Sequence, residues 1–141
     1  MRYINSIIIH CTATLPGQKV TMAKLNEWHK AAGFSEVGYH FVIDTDGTIL
    51  RGRALDKIGA HCIGQNAHSV GIAYIGGLDA AGKPADTRTM PQIQSMQKLV
   101  SALRLIFGDV EVHGHNEFAA KACPCFDVRA EAWPFSLSAS L

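Results

Sequence analysis

The run Ile4-Asn5-Ser6-Ile7-Ile8-Ile9-His10-Cys11 decides how the rest of the chain is read. Its centre is β-branched and carries no polar alternation, which suits a strand buried on both faces of a sheet. Side chains along a strand alternate between faces, so His10 and Cys11 point to opposite sides and only one of them can serve a given site.

Working outward, Thr12-Ala13-Thr14-Leu15-Pro16-Gly17 reads as a loop by its proline and glycine. Thr21 is a candidate N-cap for a helix whose buried stripe would be Met22, Leu25, Trp28 and Ala32, ended by Gly33. Trp28 is expected in that core rather than as a sugar platform. Residues 37–43 (V-G-Y-H-F-V-I) predict a strand, and Asp44-Thr45-Asp46-Gly47 a turn leading to its hairpin partner at residues 48–51. Residues 59–66 read as an irregular loop, and residues 69–75 as another strand ended by Gly76-Gly77.

Residues 78–89 are polar and form a surface excursion. Pro91 can take the first helical position ahead of Ile93, Met96, Leu99, Val100, Leu103, Ile106 and Phe107, which recur at helical spacing. Gly108-Asp109 ends that helix, and residues 110–113 give a last short strand. A helical turn or two is expected over residues 127–133, then a loose serine-rich tail after Pro134. Strands alternating with helices, plus one hairpin, predict an α/β fold: one domain over residues 1–141, with a mixed central β-sheet flanked by helices on both faces. Sites in such folds gather at strand ends.

Composition narrows the function. With 141 residues, 48% of them hydrophobic, the chain can bury a substantial core without disulfides. A formal net charge of +1 supplies no broad field for gathering nucleic acid or coating a membrane. No apolar run reaches the roughly 20 residues of a bilayer span, and three isoleucines are too few for a signal-peptide core. The expectation is synthesis in the cytoplasm without a signal peptide and no membrane insertion. The four cysteines are expected as free thiols or metal ligands.

The densest chemistry lies at residues 111–127, E-V-H-G-H-N-E-F-A-A-K-A-C-P-C-F-D. His113, His115, Cys123 and Cys125 are imidazoles and thiols of the kind that bind zinc, and Lys121 is a cation able to favour a thiolate. A third ligand must come from elsewhere, and His10 at its strand end is the best placed. Three protein ligands leave the fourth corner of a tetrahedron for water, the mark of a catalytic rather than a structural zinc. Which of the neighbouring histidines and thiols serve stays open on the residues alone. His113 shares the strand face of His115, and a structural zinc domain would need Cys125 or His113 as a fourth ligand.

Taken together, the fragments I-I-H-C-T-A-T (8–14), W-H (28–29), G-Y-H-F-V-I (38–43), D-G-T-I (46–49), G-A-H (59–61), N-A-H-S-V-G-I (66–72) and H-N-E-F-A-A-K-A-C-P-C-F-D (115–127) resemble one family in order and spacing. It is the zinc-dependent N-acetylmuramoyl-L-alanine amidases of the phage-lysozyme type, related to the peptidoglycan recognition proteins. The resemblance implies one zinc ion held by His10, His115 and Cys123, with Tyr39 and Lys121 as catalytic side chains and His61 near the substrate. It implies hydrolysis of the amide between N-acetylmuramic acid and the L-alanine of the stem peptide. The chain would then be a monomeric phage or prophage endolysin acting on peptidoglycan or muropeptides, reaching the wall after holin-type release and binding no nucleic acid. Cys125 departs from the family, which usually has a small residue there. The alternative is a peptidoglycan-binding module of the same fold that has lost catalysis. His29 and His40 are expected to be structural, and Cys11, Cys62 and Cys125 to be packed thiols.

Overall fold

The computed structural model describes residues 1–135; the serine-rich tail lies outside the described residues. Five strands form one mixed sheet: β1 (Ser6–Cys11), β2 (Phe41–Ile43), β3 (Ile49–Arg51), β4 (Ser69–Tyr74) and β5 (Glu111–Gly114), in the order β3-β2-β4-β1-β5. Strand β1 lies parallel to both β4 and β5, β2 is parallel to β4, and only the β2–β3 hairpin is antiparallel. Every residue of β1 and of β4 is buried, as expected for central strands covered on both faces. Each fully buried isoleucine of β1 contributes on the order of 1.5–3 kcal/mol.

The two faces carry different loads. Ile7, Ile9, Ile43, Val70, Ile72 and Tyr74 meet Met96, Leu99, Val100 and Leu103 of helix α2 (Met90–Phe107). On the other face Val42 packs with Val20, Val37, Ile75 and Leu25, the last from helix α1 (Met22–Ala31). His10, between Ile9 and Cys11, faces this second side, opposite Ala73 in the parallel register.

Thr21 caps α1 by accepting from the Lys24 amide at 3.1 Å. The buried stripe expected on α1 shrinks to Leu25, while Trp28 stays 38% exposed, so its placement in the core is corrected. The reason is that α1 is attached by polar groups: Asn26 Oδ1 accepts from the Val37 amide and His29 Nδ1 from the Gly38 amide, both at 2.8 Å. Those bonds also correct the strand expected over residues 37–43. Its first amides are spent on α1 side chains instead of a ladder, and regular pairing begins only at Phe41.

Helix α2 begins one residue before the expected Pro91, behind a capping box of Thr89 and Gln92. Gln92 is fully buried, and its Nε2 donates to the carbonyls of Ile43 at 3.1 Å and Ile75 at 2.9 Å. One side chain thus closes the helix start and anchors it to the ends of β2 and β4. Ile106, expected on the apolar stripe, is 64% exposed. The turn expected after Asp127 is present as a short 3-10 helix, Val128–Ala130. No helix among the described residues is long and apolar enough to cross a membrane.

Candidate metal centre

Three side chains converge beyond the C-terminal ends of β1 and β5. Strand β1 delivers His10, and a 3-10 turn at the end of β5 (His115–Glu117) delivers His115. The following loop delivers Cys123. One donor atom from each lies within 4.8 Å of the other two. A tetrahedral zinc with nitrogen and sulfur ligands has edges of roughly 3.3–3.6 Å, from bond lengths of about 2.0–2.3 Å. The triangle therefore closes on such an ion with movements of about an ångström, and its donor set of two imidazoles and one thiol fits zinc.

The electrostatics suit a cation's arrival. Burial, then His61, His115 and Lys121, hold His10 well below the ordinary imidazole range. Burial and Lys121 lower His115 as well. Both shifts favour the neutral ring, the form that ligates. The Cys123 thiol is lowered, first by the hydrogen bond with Cys11 and then against its own burial. The Cys11 amide donates to Cys123 Sγ at 3.2 Å. Amide donors and a nearby ammonium favour thiolate, the ligand form of cysteine.

The cysteine loop is held from below. Tyr74, fully buried in β4, donates its hydroxyl to the Pro124 carbonyl at 2.7 Å. The Arg88 guanidinium sits 3.4 Å over the Phe126 ring and bonds Asp86 and Glu131. Cys125 turns away from the cluster: its Sγ lies 3.9 Å from that of Cys11 and 3.3 Å from the Gly77 carbonyl, and burial pushes its thiol up to about 12. Cys125 is therefore a packed thiol, and no disulfide joins the four cysteines.

His113 also faces elsewhere. Its two ring nitrogens contact Glu111 and Glu117, each at 2.8 Å, so its alternative role as a ligand fails on direction. Period two would have put it beside His115, but the 3-10 turn that starts at His115 breaks the alternation.

A cleft of about 490 Å³ opens over the cluster, lined by His10, His115 and Cys123 together with Tyr39, Lys121 and His61. The Tyr39 ring lies 5.3 Å from that of His10 and 5.2 Å from that of His29, and burial raises its phenol, which keeps the hydroxyl protonated as a donor. The rim includes Phe34, Ile63 and Phe118, of which Ile63 is 95% exposed. Sequence reading did not pick out these rim residues, because each sits singly in a loop where no periodicity singles it out. His40 is buried in a structural role, as expected: its Nδ1 accepts from the Gly71 amide at 3.0 Å and its Nε2 reaches the Lys57 carbonyl at 2.8 Å.

The comparisons with known proteins agree with this arrangement. Residues 1–126 match the family model described as N-acetylmuramoyl-L-alanine amidase. The chain is 38% identical over 125 residues to a protein named endolysin from Klebsiella phage KP32, covering 89% of this chain and 83% of that one. It is 39% identical over 125 residues to the endolysin of Escherichia phage T7, with the same coverage of 89% and 83%. Among solved structures, the endolysin N-acetylmuramoyl-L-alanine amidase LysCS from Clostridium intestinale URNW superposes with a TM-score of 0.76 at 32% identity, over 87% of this chain and 76% of that one. A match spanning the whole sheet together with His10, His115 and Cys123 leaves one conclusion: the chain belongs to the N-acetylmuramoyl-L-alanine amidase family.

Proposed function

We propose that the protein is a zinc-dependent amidase that hydrolyses the bond between N-acetylmuramic acid and L-alanine in peptidoglycan, acting as a phage or prophage endolysin. The observation that carries this reading is the convergence of His10, His115 and Cys123 at the floor of an open cleft that Tyr39 and Lys121 also line. Its endolysin relatives supply the biological setting.

His10, His115 and Cys123 would hold the ion and leave one position facing the cleft. Bound zinc would supply Lewis acidity, making a water acidic enough to attack near neutral pH and polarising the scissile carbonyl. The remaining work falls to the chain's own side chains. Lys121 places a positive charge where negative charge gathers on the carbonyl oxygen. The Tyr39 phenol donates a hydrogen bond into the same space. Phe34, Ile63 and Phe118 give the substrate apolar walls and thin the water around the reacting bond.

The test is digestion of purified cell wall, with free amino groups and reducing sugars followed separately. New L-alanine amino termini, abolished by a chelator and restored by zinc, are expected. Reducing sugars instead would make the protein a glycosidase, and neither product would leave a binding module.

A further inference from the structure

His61 makes a contact that neither catalysis nor substrate binding explains. Its Nδ1 lies 2.8 Å from His10 Nε2, buried, on the side of the His10 ring away from Cys123. Its other nitrogen, Nε2, lies 3.3 Å from Ser69 Oγ, and Ser69 Oγ lies 2.7 Å from the Gln65 carbonyl.

The direction of every hydrogen in this row follows from its last member. A carbonyl can only accept, so Ser69 donates its single proton to Gln65. Ser69 Oγ must then accept from His61, which puts the His61 proton on Nε2. The 2.8 Å contact between His61 Nδ1 and His10 Nε2 is a hydrogen bond only if one of the two nitrogens is bare, and an imidazole whose single proton sits on Nε2 has Nδ1 bare. Neutral His61 therefore has a bare Nδ1, and the bond to His10 forms only with the His10 proton on Nε2. That leaves His10 Nδ1 bare, and Nδ1 is the atom 3.9 Å from Cys123 Sγ.

The slot around His61 is shaped to keep the row in place. A Cβ on Gly71 would come within 2.6 Å of the His61 ring, and one on Gly59 within 2.7 Å. The His61 and Cys62 amides both donate to Asn66 Oδ1 at 2.9 Å, which fixes the loop carrying the ring. We propose that His61 is a positioning residue which, through Ser69 and the Gln65 carbonyl, locks His10 in the tautomer that offers Nδ1 to a metal between His115 and Cys123. This rests on the zinc reading for its purpose, but its central claim concerns the metal-free protein.

Nitrogen-15 NMR of the imidazoles in the zinc-free full chain reads the tautomer directly, with His10 expected to carry its proton on Nε2. Zinc affinity is then measured by competition with a chelating dye. His61→Phe fills the slot but offers no acceptor, and is expected to weaken zinc binding by about 10- to 100-fold. His61→Asn restores an acceptor near the Nδ1 position and should recover most of that loss. A His10 proton on Nδ1 in the wild-type chain, or a folded His61→Phe variant with wild-type affinity, overturns the proposal. Should the variant not fold, the wild-type tautomer still decides. A wild-type chain that binds no zinc would overturn the proposed function, and the tautomer measurement would then decide the positioning role alone.

Discussion

His10 and Cys123 stand 113 positions apart in the chain, yet Nδ1 of the one lies 3.9 Å from Sγ of the other. The sheet brings them there: β1 ends at Cys11 beside β5, and the loop after β5 folds back so that the Cys11 amide donates to Cys123. The two thiols of that loop then differ in environment, one lowered beside the cleft and one pushed up against the core.

Cys123→Ser should therefore remove zinc, while Cys125→Ser should retain it. Losing a direct ligand is expected to cost more than the roughly 100-fold in affinity that an outer partner can command. Metal content after dialysis checks both, and equal zinc in the two variants would reject the assignment of the thiol ligand.

Lys121→Ala should retain zinc, with a modest loss of affinity because its ammonium helps to favour the Cys123 thiolate, and lose turnover. Lys121 is exposed at the cleft and takes part in no ion pair among the described residues, so little of the fold depends on it. Removing one oxyanion stabiliser costs on the order of 3 kcal/mol, or about 100- to 1,000-fold in kcat. Amino-group release from cell wall, set against zinc content, separates the two effects. Unchanged turnover would take Lys121 out of the chemistry.

Tyr74→Phe removes only a hydroxyl, but it strands the Pro124 carbonyl beneath the cysteine loop. A lost hydrogen bond that leaves a buried acceptor unpaired costs about 1–3 kcal/mol. Urea unfolding of the metal-free protein should show that loss, and zinc affinity should fall with it as the loop loosens. An unchanged urea midpoint would mean that the loop is held by other contacts, such as Arg88 over Phe126.

Acid should destabilise the metal-free protein well above the carboxylate range. Burial pushes His40 down to about 4 from 6.5, and it lowers His10, His29, His61 and His115 as well. Below the unfolded value near 6.5, the unfolded chain takes up protons that the native state refuses, so stability falls as pH drops towards the folded values. Each such histidine adds a slope of up to about 1.4 kcal/mol per pH unit. Urea midpoints taken in chelator at pH 7.5 and pH 5, values chosen to bracket the roughly 6.5 of a free imidazole, should differ, with the acid one lower. A midpoint that rises towards acid would contradict the burial of these rings as neutral species.

Some of this was legible in the residues alone. The unbroken isoleucines of β1, the D-T-D-G hairpin turn and the apolar spacing of α2 specify their own local structure, so the mixed sheet with helices on both faces could be read directly. The motif order likewise pointed to His10, His115 and Cys123, whose convergence is a matter of three strand and loop ends meeting. Other features belong to no local pattern. Trp28 lies outside the core because α1 is attached through Asn26 and His29, and pairing in β2 begins late for the same reason. His113 and His115 part company because a 3-10 turn starts at His115, and Cys125 is separated from Cys123 by which neighbour each sulfur meets. The row from His10 through His61 to Ser69 joins residues 51 and 8 positions apart, and Gly71 leaves room for it only once β4 is laid beside β1. Periodicity and propensity act over a few residues, so they fix elements, whereas hydrogen-bond direction and ring placement depend on partners that only the folded sheet brings within reach.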